Sequence, residues 1–119
     1  MTKNCTMIAL ACVASALLAG CQTAPKPLYQ WGNYQPVVYK HFLGTSPEEQ
    51  VSLLEEDVEK IKSSGNAVPP GLYAHLGMLY FSMGKSDLGL QELLTEKKLF
   101  PESANYMDFL INKTQKKEQ

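Results

Sequence analysis

Arginine is absent from this chain. Its eleven cationic side chains are all lysines, set against twelve carboxylates, and the net charge is −1 at pH 7. A nucleic-acid surface wants a basic patch, usually with arginine forks, so the composition argues against that partner. Histidine is scarce too: His41 and His75 are the only two. Neither stands in an H-E-x-x-H or other metal-ligand spacing. Both are expected as surface or rim side chains, with no metal and no bound cofactor. No serine occupies a G-x-S-x-G elbow, and phosphate loops and dinucleotide fingerprints are missing. Neighbouring carboxylates crowd one helix only, where nothing would raise one of them to serve as a general acid. These gaps together argue against an enzyme.

Long apolar runs are missing as well. The longest, MIALACVASALL at 7–18, holds twelve uncharged residues. A membrane-spanning helix needs about 20. The run instead suits the apolar part of a secretory signal, with Lys3 before it. Leu18-Ala19-Gly20-Cys21 follows, and this stretch resembles a bacterial lipobox. The resemblance implies a signal peptide at 1–20, cleavage before Cys21, a diacylglycerol on its thiol and an acyl chain on the new amino group. Gln22 in place of Asp then points, by analogy with enteric lipoprotein sorting, to the periplasmic face of the outer membrane. Two or more acyl chains hold a protein stably on a bilayer, so the membrane is the first expected partner. Cys5 and Cys12 would leave with the signal and Cys21 would carry lipid. The exported domain would therefore fold without a disulfide.

What remains suffices for one small domain. Residues 21–28 are expected to form the lipidated cysteine and a tether, which Pro25 and Pro27 bias to an extended form. Residues 29–34, YQWGNY, carry the only tryptophan and a Gly-Asn turn signal. Trp31 either caps a helical core or stands out as an aromatic anchor for a partner or lipid headgroups. A short helix over 37–43 would end at Gly44. Ser46-Pro47-Glu48-Glu49 is a capping box with proline at the first helical position, and launches a helix to about Ser63. Val51, Leu54, Val58 and Ile61 recur on it at spacings of three and four. Glu55, Glu56, Asp57 and Glu59 read as its solvated side, without the spaced loop that calcium uses.

After a break at 63–70, a helix over 70–83 carries two apolar stripes. One is Tyr73, Leu76, Tyr80 and Met83; the other is Ala74, Met78 and Phe81. Such a helix is sandwiched or offers one face to a ligand. Ser86 would cap a leucine-rich helix reaching Phe100. A last helix over 103–113, with Tyr106, Phe109 and Leu110, would precede a polar tail at 114–119. No segment alternates with period two for long. The domain at 29–113 is therefore read as all-α, with about four helices in hairpins.

Residues 70–101 resemble a tetratricopeptide repeat, a pattern of about 34 residues with an aromatic, Leu-Gly, Tyr, small residues and a closing Pro. Tyr73, Leu76-Gly77, Tyr80, Gly84, Gly89, Leu93 and Pro101 fill those slots. Glu96 departs, standing where a small residue is expected. Tyr39, Phe42 and Leu43-Gly44 echo a worn upstream repeat. The resemblance implies a groove lined from the first helix of each pair, here Gly71, Ala74, Met78, Phe81 and Ser82. The competing expectation is that Met78 and Phe81 pack under the N-terminal aromatic segment.

The exported chain also resembles a family of short proteobacterial outer-membrane lipoproteins of unknown function, by residues 29–34 and by the hairpin bearing Leu76, Tyr80 and Gly84. Members are often encoded beside a lipoprotein resembling the curli secretion pore, and this implies work in an envelope assembly. The expected function is a lipid-anchored adaptor that binds a protein partner, with a curli-pore-like lipoprotein as one candidate. Trp31, Ala74, Met78 and Phe81 are the candidate contacts. The alternatives are a pilotin-like chaperone of a secretion pore and a small-molecule or lipid carrier; the carrier needs an enclosed apolar pocket.

Overall fold

The computed structural model describes residues 24–116. Cys21, the Leu18-Ala19-Gly20 motif and the rest of the expected signal lie outside the described residues. Among those described, the chain is all-helical, without strands. It has five α-helices: α1 Tyr34–Phe42, α2 Pro47–Ser63, α3 Leu72–Ser82, α4 Ser86–Leu99 and α5 Ala104–Gln115, with a 3-10 turn at Pro101–Ser103. Each helix packs on the next in sequence, the outcome that short connections favour.

The helix boundaries have local causes. Ser46 Oγ accepts the Glu49 N–H at 3.3 Å and Pro47 opens α2, one half of the capping box, while the Glu49 carboxylate accepts from Lys40 Nζ at 2.7 Å. α1 starts at Tyr34, three residues earlier than expected. Pro36 sits in its first turn, where a missing N–H breaks no helical bond. Gly71 precedes α3 with φ +91°, a backbone shape that costs other residues strain. Ser86 does not cap α4, because the helix begins at Ser86 itself and Lys85 holds the cap position.

Two apolar clusters lie on opposite sides of α3. The larger joins Val37 of α1, Val51, Leu54, Val58 and Ile61 of α2, and Leu72, Tyr73, Leu76, Leu79 and Tyr80 of α3. The smaller joins Leu93 of α4 with Met107 and Leu110 of α5, and Ala74 and Phe81 pack against it. The first stripe of α3 thus meets α2, and part of the second meets α4 and α5. Gly77 and Gly89 make the α3–α4 approach possible. A Cβ on Gly77 would stand 3.0 Å from the Gly89 carbonyl oxygen, and one on Gly89 would stand 2.8 Å from the Phe81 ring.

Of the leucines expected to bury α4, Leu93 alone is in the core, while Leu88, Leu94 and Leu99 are exposed. Tyr106 and Phe109 likewise face water, stacked on each other at 6.3 Å. Met107 and Leu110 are the α5 residues that pack inward.

Asp57 is not part of a solvated acidic face. It is 2% exposed, as are Gln50 and Glu96. Each of these three polar side chains holds the backbone of a turn. Gln50 Nε2 donates to the Thr45 carbonyl at 2.6 Å. Asp57 accepts from Asn33, and Glu96 accepts the N–H groups of Gly71 and Ala74 at 2.7 and 3.3 Å. Glu96 thereby caps the N-terminus of α3, where a carboxylate opposes the helix dipole. Burial outweighs those hydrogen bonds and keeps its carboxyl above the ordinary carboxylate range. This is why a carboxylate occupies a slot where a repeat expects a small residue.

Candidate functional site

Beside Ala74, which packs against the smaller cluster, the side of α3 that carries His75, Met78 and Ser82 turns away from both clusters. It forms the floor of a groove between α1 and α5. Tyr34, Val38, His41 and Phe42 line the α1 side, and Tyr106 and Leu110 the α5 side, around a hollow of about 480 Å³. A second hollow of about 500 Å³ adjoins it through Met78, Ser82 and Leu110, and runs on to Phe81, Lys113 and Thr114. Met78 is 42% exposed at the centre, and Phe42 is 81% exposed at the rim. Large apolar side chains at this exposure have no intramolecular reason to cluster.

The expected contact residues divide here. Met78 and Ala74 lie on the groove floor. Phe81 turns mainly inward, with its ring against Gly89, and presents only an edge to the second hollow. Trp31 is outside the lining of either hollow. It stacks on Tyr34 with centroids 6.2 Å apart and an interplanar angle of 11°, and remains 42% exposed. It therefore belongs to neither core cluster.

The N-terminal aromatic segment leaves Met78 exposed, and Tyr34 is the segment's one residue in the lining of the first hollow. Tyr29 packs edge-on against Phe100 at 6.0 Å. The Gln30 N–H donates to the Ala67 carbonyl at 3.0 Å, and Asn66 Nδ2 donates to Gln30 Oε1 at 2.6 Å. The segment thus runs along the α2–α3 connection. Sequence periodicity missed Phe42, Tyr106 and His75 as groove residues. Their signal was position on the first, third and fifth helices, which becomes readable only when α1 and α5 are placed as flanking walls.

At the α1 side of the groove three rings meet. His75 lies 5.2 Å from His41, edge to face, and 6.1 Å from Tyr34. His41 Nδ1 is 3.1 Å from Gln50 Oε1. The Nε2 of His75 is buried and lacks a hydrogen-bond partner among the described residues. Burial, and then the neighbouring His41, push His75 down to about 4, so it is neutral at pH 7. Burial and the Glu96 charge raise Tyr34. Among the described residues, no group of three or more His, Cys, Asp or Glu side chains converges to hold a metal ion. What this arrangement offers chemically is an apolar trough with a few hydrogen-bonding edges.

A family described as a domain of unknown function, DUF4810, matches residues 28–110. The chain belongs to the DUF4810 family. No curated protein and no solved structure matches it. The DUF4810 match takes in the aromatic turn, α1 to α4 and the first half of α5. The floor of the groove and its α1 wall fall within the DUF4810 region, as do Tyr106 and Leu110, whereas Lys113 and Thr114 follow it.

Proposed function

We propose that this DUF4810 protein is a lipid-anchored adaptor at the periplasmic face of the outer membrane, and that it holds a protein partner in the groove between α1, α3 and α5. The observation that carries this reading is the exposed apolar floor at Met78, flanked by Phe42 and Tyr106. Large side chains placed around an open trough suit a segment of another protein, which buries aromatic and methionine surface on docking. The lipobox at residues 18–21 supports the anchor. No described helix is long and apolar enough to cross a membrane, so covalent lipid is the means of attachment in this reading.

A carrier for a small apolar molecule fits less well. The hollows lie open beside exposed rims, and a carrier shields its cargo on most sides. A pilotin-like chaperone would use the same groove and differ in letting its partner go.

The test uses the full chain in its own host, with a photo-reactive phenylalanine analogue replacing either Met78 or Leu94. Leu94 is an exposed α4 residue outside the groove. A discrete protein adduct from position 78, weak or absent from position 94, is the expected result. Equal labelling at both positions, or no protein adduct at all, overturns the adaptor reading.

A further inference from the structure

The charges around the groove are not distributed like those of the rest of the chain. Of the twelve carboxylates in the sequence, none of the eleven among the described residues lines either hollow of the groove. Glu55, Glu59 and Glu92 gather instead at a separate hollow between α2, α3 and α4. Asp87 lines a neighbouring depression with Lys85, and Asp108, between Tyr106 and Leu110 on α5, pairs with Lys97. Among the described residues, the one charged side chain that lines the groove is Lys113.

Lys113 is one of six described lysines that stand outside any ion pair. Lys40, Lys60 and Lys97 each pair with a carboxylate. Lys113 has no ion pair among the described residues; its Nζ lies 5.9 Å from the centroid of the Phe109 ring. Ser82 and Thr114 flank it with hydroxyls. At the other end stand His41 and His75. A trough with a cation at one end, imidazoles at the other and no carboxylate among its described lining residues, Glu96 being turned inward onto the N–H groups of Gly71 and Ala74, favours an acidic segment over a basic one.

We infer that the groove receives a partner-protein segment bearing apolar side chains and at least one carboxylate, seated with the apolar groups over Met78 and the carboxylate at Lys113. This deepens the adaptor reading and rests on it. Apolar burial over Met78, Phe42 and Tyr106 supplies most of the affinity in this arrangement. The Lys113 charge sets the direction in which the segment lies, the usual division between apolar and charged contacts. A fatty acid shares the apolar-plus-anion chemistry. The open trough disfavours it, because a lone acyl chain there would leave much of its length in water.

The experiment follows the adduct formed from a photo-reactive residue at position 78 of the full chain in its host, and mass spectrometry identifies the crosslinked segment. The segment is expected to carry Asp or Glu within a few residues of its apolar anchors. Lys113→Glu should lower adduct yield about tenfold, while Lys113→Arg retains it. Changing the partner's carboxylate to lysine should restore the yield with Lys113→Glu. A segment without a carboxylate, or a yield indifferent to Lys113→Glu, overturns the charge assignment and leaves the adaptor reading standing. A lipid adduct, or no protein adduct, overturns both.

Discussion

The Asp57 carboxylate of α2 accepts two hydrogen bonds from Asn33, the backbone N–H at 2.6 Å and the side-chain Nδ2 at 3.0 Å, across twenty-four residues of chain. Gly32 lies directly beside that carboxylate. A Cβ there would stand 3.0 Å from the carboxyl group, and its φ of +49° already favours glycine. The Trp31-Gly32-Asn33 turn is therefore built around a buried acid on another helix. Asp57→Ala should cost about 2–3 kcal/mol in urea unfolding, since it leaves the Asn33 donors without their charged acceptor. Gly32→Ala should cost about 1–2 kcal/mol through crowding and strain. A loss under about 0.5 kcal/mol for Asp57→Ala would contradict this role.

Glu96 does for α3 what Asp57 does for the aromatic turn. Glu96→Ala should destabilise the fold by about 2 kcal/mol, the loss of a buried cap together with its charge-assisted bonds. Glu96→Gln should fall between the two, because one end of an amide donates where both carboxylate oxygens accept. Equal stability for Glu96→Ala and the parent chain, read from thermal or urea midpoints, would show that the α3 N-terminus does not depend on this side chain.

Much of the fold was legible because its signals are local. The Ser46 capping box, the α2 stripe and the Gly84 break involve residues within one or two turns of each other. The buried acids were hidden by their residue type. By spacing, Asp57 follows Leu54 by three and precedes Ile61 by four, which puts it on the apolar stripe. Glu96 stands three after Leu93, and Gln50 four before Leu54. Helical position located all three in the core; charge disguised Asp57 as surface and made Glu96 look like a departure from the repeat. Their partners are turns distant in sequence, which no periodicity describes. The exposed leucines of α4 erred in the other direction. Whether Leu88 or Leu94 is covered depends on which helix comes to lie beside it, and that is a tertiary fact. The groove was half legible: Met78 and Ala74 were found on one helix, but the walls needed α1 and α5 in place.

The α3–α4 contact predicts a strong effect from one methyl group. Gly89→Ala would bring its Cβ to 2.8 Å from the Phe81 ring. The ring would have to leave the cluster formed with Leu93, Met107 and Leu110, at a cost of about 1–3 kcal/mol. Gly84→Ala, which meets no atom within 4 Å but has φ +73°, should cost less and through strain alone. Urea denaturation of the two variants separates crowding from backbone preference.

His75 makes stability depend on pH. Burial and His41 place it at about 4 in the fold, below its ordinary 6.5. Between those values the unfolded chain binds the additional proton, so stability falls as pH drops from about 6.5 to 4 and then levels off. After allowance for solvent at the groove, the loss is about 1–2 kcal/mol. The difference in unfolding free energy between the parent and His75→Gln, followed across that range, isolates this contribution from the carboxylates. A difference that stays constant with pH would remove His75 from the account.

The central claim is that the surface around Met78 recognises a partner and is not an unfilled part of the core. Its most direct test places a photo-reactive residue at Phe42, on the rim, and compares protein-adduct yield with and without Met78→Asp. A side chain already 42% exposed should accept the charge with little effect on the unfolding midpoint, while adduct yield falls about tenfold as an uncompensated carboxylate enters the contact. An unchanged yield would contradict the account, as would a chain that Met78→Asp unfolds.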